Sequence, residues 1–254
     1  MTIARRRFTE HKPAGSPAVL AADHGAVVES RTRYPRSVIW PGLTDPVLKS
    51  GIHNRKIGDR VTKGAWAGMP IYTLTLEERA TCPRACRNWR NCYGNKMPFA
   101  DRHMPGEALE RCLDTELNAL ARRHPGGFVV RLHVLGDFYS VNYVRCWAEW
   151  LATIPELHVF GYSAWASPHK VHKAICLTKA AFPHRFCIRF SNQGLPSWGA
   201  ETTEDTPLFG AAGSPQHLRG LINLPGGLLR DLHPLLGHRP QHHFSDALSH
   251  GRGA

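Results

Sequence analysis

Between residues 128 and 190 the chain runs through three strands linked by two copies of one connection, a polar loop and then a helix. Phe128–Leu135 is dense in Val and Leu and reads as a strand, closed by Gly136-Asp137-Phe138-Tyr139-Ser140. A helix is expected from Ser140 to Thr153, with Tyr143, Val144, Trp147 and Leu151 on one face and Ser140 as N-cap. Leu157–Tyr162 is the next strand. It leads through Ser163–Ser167 to a helix over Pro168–Phe182, with Ser167 as cap and Pro168 in the first position. Arg185–Phe190 is the third strand, ending in Ser191-Asn192-Gln193-Gly194. The repeat of roughly 30 residues is what a βαβ crossover requires, so the sheet should be parallel. The expected fold class is α/β. A partial or complete βα barrel and an open doubly wound sheet both satisfy the pattern. No Gly-rich dinucleotide fingerprint follows any strand, which favours the barrel. Either way, a parallel sheet gathers its functional loops at the carboxyl ends of its strands.

The flanks divide the chain further. Pro13, Pro17, Pro35, Pro41 and Pro46 interrupt residues 1–50, which read as an irregular extension with helical composition only at Ala18–Val28. Residues 51–199 form the expected α/β core. Ile71–Leu76 reads as a short strand, and Pro105 opens a helix with Leu109, Cys112, Leu113, Leu117 and Leu120 on one face. From about residue 200 there is no Lys, Cys or Trp, while Gly, Pro and His are frequent. This 200–254 segment is expected to be loosely ordered, and its abrupt composition suggests a frameshifted or replaced tail.

Net charge is +12, and 28 of the 32 Lys and Arg lie in residues 1–199 with 15 of the 20 acids. A basic body favours polyanionic partners, nucleic acid or a nucleotide first. No apolar run approaches the ~20 residues of a membrane span, so no membrane partner is expected. The basic start, Met-Thr-Ile-Ala-Arg-Arg-Arg, is followed by no apolar stretch of the secretory kind, so a cytoplasmic protein is expected.

Chemistry is concentrated in Thr81–Tyr93. Cys82, Cys86 and Cys92 are spaced C-x3-C-x5-C, with Arg84, Arg87, Trp89 and Arg90 in the gaps and no acid. Three thiols so close in sequence can converge on one metal or cluster, and the flanking arginines should favour thiolate. An iron–sulfur cluster held by three cysteines keeps one iron open, whereas zinc calls for a distant fourth ligand; both stay open. Cys112, Cys146, Cys176 and Cys187 fall within expected elements and read as core. Asp137, at the carboxyl end of a strand, is the leading acid/base candidate, with Tyr139 and Ser140 beside it. Arg131 and His133 alternate with apolar residues in the same strand and either line a barrel interior or pair internally. Asn192 and Gln193 are suited to reading a base or a ribose. Gln241-His242-His243 is expected to be without function.

These residues resemble a family. Lys56-Ile57-Gly58, Ile71–Leu76, Thr81-Cys82-Pro83 with Cys92-Tyr93-Gly94, and above all the run from Val130 to Ser140, look like the phage- and prophage-associated gene-product-88 family. The likeness covers about residues 50–198 and implies kinship without implying a reaction. The cysteine loop ending in Cys92-Tyr93 is also similar in style to radical S-adenosylmethionine barrels. That similarity implies a cluster on Cys82, Cys86 and Cys92, S-adenosylmethionine as co-substrate, and Tyr93 and Ser140 near the cofactor. Two functions are therefore expected in competition. One is a cluster-containing enzyme acting on a nucleotide or nucleic acid, with a zinc-containing barrel as a variant. The other is a zinc-stapled nucleic-acid-binding module in which the loop arginines meet phosphate and Trp89 stacks on bases.

Overall fold

The computed structural model describes residues 19–54 and 56–191, all within one unit of the chain. Asn192, Gln193 and the tail from residue 200 lie outside them. In chain order the elements are helix α1 (Gly25–Arg33), strands β1 (Val38–Ile39), β2 (Leu48–Ser50) and β3 (Ile71–Leu74), and the short helix α2 (Glu78–Thr81). Then come β4 (Arg102–His103), α3 (Glu107–Arg123), β5 (Phe128–Leu132), α4 (Val141–Thr153), β6 (Leu157–Ser163), α5 (Lys170–Ala181) and β7 (Phe186–Phe190). The protein is α/β, with a five-stranded sheet in the order β2-β3-β5-β6-β7. β3, β5, β6 and β7 are parallel to one another, and β2 is antiparallel to β3 at one edge. β1 and β4 form a separate parallel pair.

Each parallel strand lies beside its predecessor, without the reversal of a doubly wound sheet. That order is the order of an arc of a βα barrel, and among the described residues the arc does not close. One face of the sheet contributes Leu74, Phe128, Val130, Leu132, Val159 and Ile188 to the main core, where they meet the apolar stripes of α3, α4 and α5. The other face begins with Ile71 and Val129, covered by Val61 and Trp66. Cys112 is buried in the main core and donates to the Gly42 carbonyl, whereas Cys146, Cys176 and Cys187 are only partly buried.

Local chemistry sets the ends. Ser140 Oγ accepts the Tyr143 amide at 3.0 Å and caps α4, as its position predicts. α5 begins two residues later than expected because His169, not Ser167, caps it: His169 Nδ1 accepts from the Val171 amide at 3.2 Å. α1 likewise starts at Gly25, behind a His24 cap, rather than at Ala18. β5 stops at Leu132, yet its continuation stays tied to β3. The Val134 amide donates to Leu74 O at 2.8 Å, and the Leu76 amide donates to Leu135 O at 3.0 Å. No helix among the described residues is long and apolar enough to cross a membrane.

Candidate functional site

β3 delivers the chain into α2 and directly into Cys82. The three residues that open this passage, Glu77, Glu78 and Arg79, are all buried. Buried charges need partners, and each has one. Arg31 of α1 grips Glu77 with two bonds of 2.9 Å. Arg102 of β4 donates its Nε to Glu78 at 2.9 Å, and its other nitrogens to the carbonyls of Ala100 and Gly94. Arg79 donates to the Trp89 carbonyl and to Asn95, and its guanidinium lies 4.8 Å from the Trp89 ring centre. Tight turns coil the loop itself, with the Cys86 amide bonded to Pro83 O and the Trp89 amide to Cys86 O. The cysteine loop is thus anchored from beneath by a buried ionic layer. The sequence offers no direct signal for that layer, because the partners of Glu77 and Glu78 lie 46 and 24 residues away.

Thr81 joins this loop to the end of β5. Its hydroxyl donates to Glu77 O at 2.8 Å and stands 3.3 Å from the Asp137 amide, which donates to it. Gly136 makes the close approach feasible. Its φ is +87°, and a Cβ there would lie 2.6 Å from both Leu76 Cβ and Thr81 Oγ1. The Asp137 carboxylate then bridges two strand ends, accepting from the Phe138 amide at 2.7 Å and from the Ala164 amide beyond β6 at 2.6 Å. The end of β7 joins through Ser191, whose amide donates to Ser163 O at 2.8 Å. The carboxyl ends of β3, β5, β6 and β7 are therefore laced together, with Asp137 in the middle.

Burial sets the electrostatics of the site. Burial pushes the Asp137 carboxyl up to about 7, against the opposing hydrogen bonds of Ala164, Phe138 and Ser163. Burial pushes Cys82 well up, and Cys86, Asp137 and Cys92 push it further. Cys86 is raised to about 11, by burial first and with Asp137 and Cys92 contributing. Burial also raises Cys92, with Glu78 adding to it. The expectation that flanking arginines favour thiolate gives way here. Arg79 and Arg102, from the buried layer, oppose the rise, and burial outweighs them. The loop that carries the three thiols meets Asp137 through Thr81, and the thiols are protonated at neutral pH. Their donor chemistry suits a thiophilic metal centre. Among the described residues, however, no three or more His, Cys, Asp or Glu side chains are arranged to hold a metal ion, so the thiols are close without forming a cage.

The other expected site residues scatter. His133 turns to the helical side, where its Nε2 lies 3.1 Å from the Tyr143 hydroxyl and its ring packs edge-on against Phe138. Burial lowers its pKa to about 3 and keeps it neutral. Tyr139 also faces the helices, donating to Glu110 at 2.7 Å and stacking on Tyr143. Ser140 spends its oxygen on the α4 cap. Arg131 is on the opposite face of the sheet, in register with Thr73 and Phe160. Tyr93 is exposed as a residue, but its hydroxyl is crowded enough for burial to raise its pKa, which Arg131 opposes. Trp89, expected to stack on bases, is instead 4% exposed beneath Arg79.

The sequence model of the family described as Gene product 88 matches residues 47–197. No curated protein and no solved structure matches the chain, and nothing in the comparisons supports the likeness to radical S-adenosylmethionine barrels.

Proposed function

The chain belongs to the gene product 88 family, and from that footing we propose that it is an enzyme acting on a nucleotide or nucleic acid at the carboxyl ends of its parallel strands. In this reading Cys82, Cys86 and Cys92 are the ligands of an iron–sulfur cluster, and Asp137 moves protons. What supports it is one loop carrying three partly buried thiols that meets a buried carboxyl at the mouth of a barrel-like arc. Clustered acids raise one another's pKa values, and a bound cation relieves that mutual penalty by taking the thiols as thiolates. Ligation requires the three Sγ atoms to turn toward one point within the coiled loop, over the fixed layer of Glu77, Glu78, Arg79 and Arg102. Cys82, Cys86 and Cys92 would hold the cluster, which, once reduced by an external one-electron donor, would supply one electron to S-adenosylmethionine, the co-substrate of this reading. Asp137, near neutrality and held by two backbone amides, accepts or returns a proton without leaving its place.

The test is binding. Anaerobically prepared protein is expected to bind S-adenosylmethionine in equilibrium dialysis, and Cys86→Ala to lose that binding. Equal binding by both would refute the role of the loop. The second reading is a zinc-stapled nucleic-acid-binding module, favoured by the exposure of Arg87 and Arg90 on the same loop. It is marked by colourless protein with about one zinc per chain that unfolds with chelator.

A further inference from the structure

Beyond the last cysteine the chain keeps turning three residues at a time. The Asn95 amide donates to Cys92 O, the Met97 amide to Gly94 O and the Ala100 amide to Met97 O, and Tyr93–Lys96 is a 3₁₀ turn. The solvent side follows the same step. From Cys92 to Ala100, Tyr93, Lys96 and Phe99 are exposed, and every other residue is buried or half-buried. Side chains three apart in a 3₁₀ turn eclipse one another, so Tyr93 and Lys96 stand on one side. Phe99 is 89% exposed, the most open of the large apolar side chains among the described residues, and Tyr93 is 53% exposed.

The charge around these rings has one sign. No Asp or Glu occurs between Glu78 and Asp101, and Asp101 is ion-paired with Lys49. The chain before β1 adds to this surface. Ser37 Oγ donates to Pro98 O at 2.8 Å, and Ser37 O accepts from the Arg102 amide at 2.6 Å. The exposed Arg36 and the exposed Phe99 therefore each lie one residue from the same contact. An acidic peptide would use the cations and leave the rings in water. A nucleic-acid strand uses both, with its phosphates on the cations and its base faces on the rings. A duplex keeps those faces inside its own stack, so the unpaired strand is the form that fits.

We propose that Tyr93, Lys96 and Phe99, with Arg36 beside them, form a binding track for single-stranded nucleic acid. Phe99 and Tyr93 stack on bases, and Lys96 and Arg36 meet phosphates. This rests on the nucleic-acid half of the function proposed above and holds whether or not the thiols bind a metal. The track begins next to Cys92, so a strand held on it lies beside the cysteine loop.

The experiment is fluorescence anisotropy of labelled single-stranded DNA and RNA oligonucleotides titrated with full-length protein at several salt concentrations, with phosphatidylserine vesicles as a parallel ligand. Wild type should bind at least one oligonucleotide, with an affinity that falls as salt rises. Phe99→Leu, which stays apolar and loses the ring, should bind about 5- to 100-fold more weakly, and Phe99→Tyr, which keeps the ring, should bind as wild type does. Lys96→Ala should flatten the logarithmic salt dependence by about 0.7, the share of one phosphate contact on a single strand. Equal affinity in wild type and Phe99→Leu overturns the track and leaves the nucleic-acid reading of the protein standing. Wild-type protein that binds neither oligonucleotide at about 100 μM overturns both, and binding to vesicles alone does the same. Metal content measured on the same samples guards the assignment. It should be equal in wild type and Phe99→Leu, and a joint loss of metal and oligonucleotide would trace the weakening to the cysteine loop and overturn the track.

Discussion

Replacing Asp137 with Asn should change how the protein's stability depends on pH. The Asp137 carboxyl is 2% exposed, and its pKa is pushed up to about 7. In the unfolded chain the same group titrates near 4, so the folded state holds an extra proton between about pH 4 and pH 7. Its contribution is therefore greatest in acid and is lost as pH rises toward 7. The full difference is about 4 kcal/mol, of which about 2–3 kcal/mol falls between pH 5 and pH 8. His133 works in the opposite direction. Its folded pKa of about 3 lies below the unfolded value, so its contribution fades as pH falls through about 6.5. The two nearly cancel in wild type, and only the difference between wild type and variant isolates Asp137. Asn keeps one acceptor and turns an NH₂ toward a backbone amide, a constant loss of about 1–3 kcal/mol that leaves the slope untouched. The assay is urea unfolding of metal-free, reduced protein at pH 5, 6, 7 and 8. Relative to wild type, Asp137→Asn should gain about 2–3 kcal/mol from pH 5 to pH 8. A difference that stays constant within about 0.5 kcal/mol would show that Asp137 is not held as a buried, nearly neutral acid.

Other perturbations follow from the same contacts. Arg31→Ala strands the fully buried Glu77 and should cost about 3–5 kcal/mol in urea unfolding, with Arg31→Ala/Glu77→Gln recovering part of the loss; no change would mean that Glu77 finds another partner. Gly161→Ala should fail to give folded protein by circular dichroism, because a Cβ on β6 would overlap the Leu132 carbonyl of β5; a variant as stable as wild type would contradict the close strand approach. Ser140→Ala should lower stability by about 1 kcal/mol through loss of the α4 cap, and a shift below about 0.3 kcal/mol would remove that role.

What the sequence disclosed was what local spacing controls. The strand–loop–helix period implied parallel β5, β6 and β7, the Ser140 cap follows from its place before an apolar stripe, and Asp137 falls at a strand's carboxyl end because that strand is dense in Val and Leu. What stayed hidden depends on distant partners. Glu77-Glu78-Arg79 carries no local sign of burial in the sequence, yet Arg31 and Arg102 pair with its acids in the interior. Trp89 sits among arginines in a basic loop, and only the fold shows Arg79 closing over it. His133 alternates with Arg131 in the sequence, but β5 ends between them, so the two residues face opposite sides. Burial reversed the thiol expectation as well, because sequence shows neighbouring charge and not depth.

In the proposed function Cys82, Cys86 and Cys92 hold one thiophilic centre beside Asp137. Its most direct test is anaerobic purification of wild type and Cys82→Ala, with iron, zinc and acid-labile sulfide counted per chain and the visible spectrum taken. Wild type should carry iron and sulfide with a broad visible band, all lost in Cys82→Ala. Zinc alone, lost in the variant, would transfer the loop to the stapled binding module. Wild-type protein with neither metal would contradict the ligand role and leave the three thiols as partly buried parts of the fold.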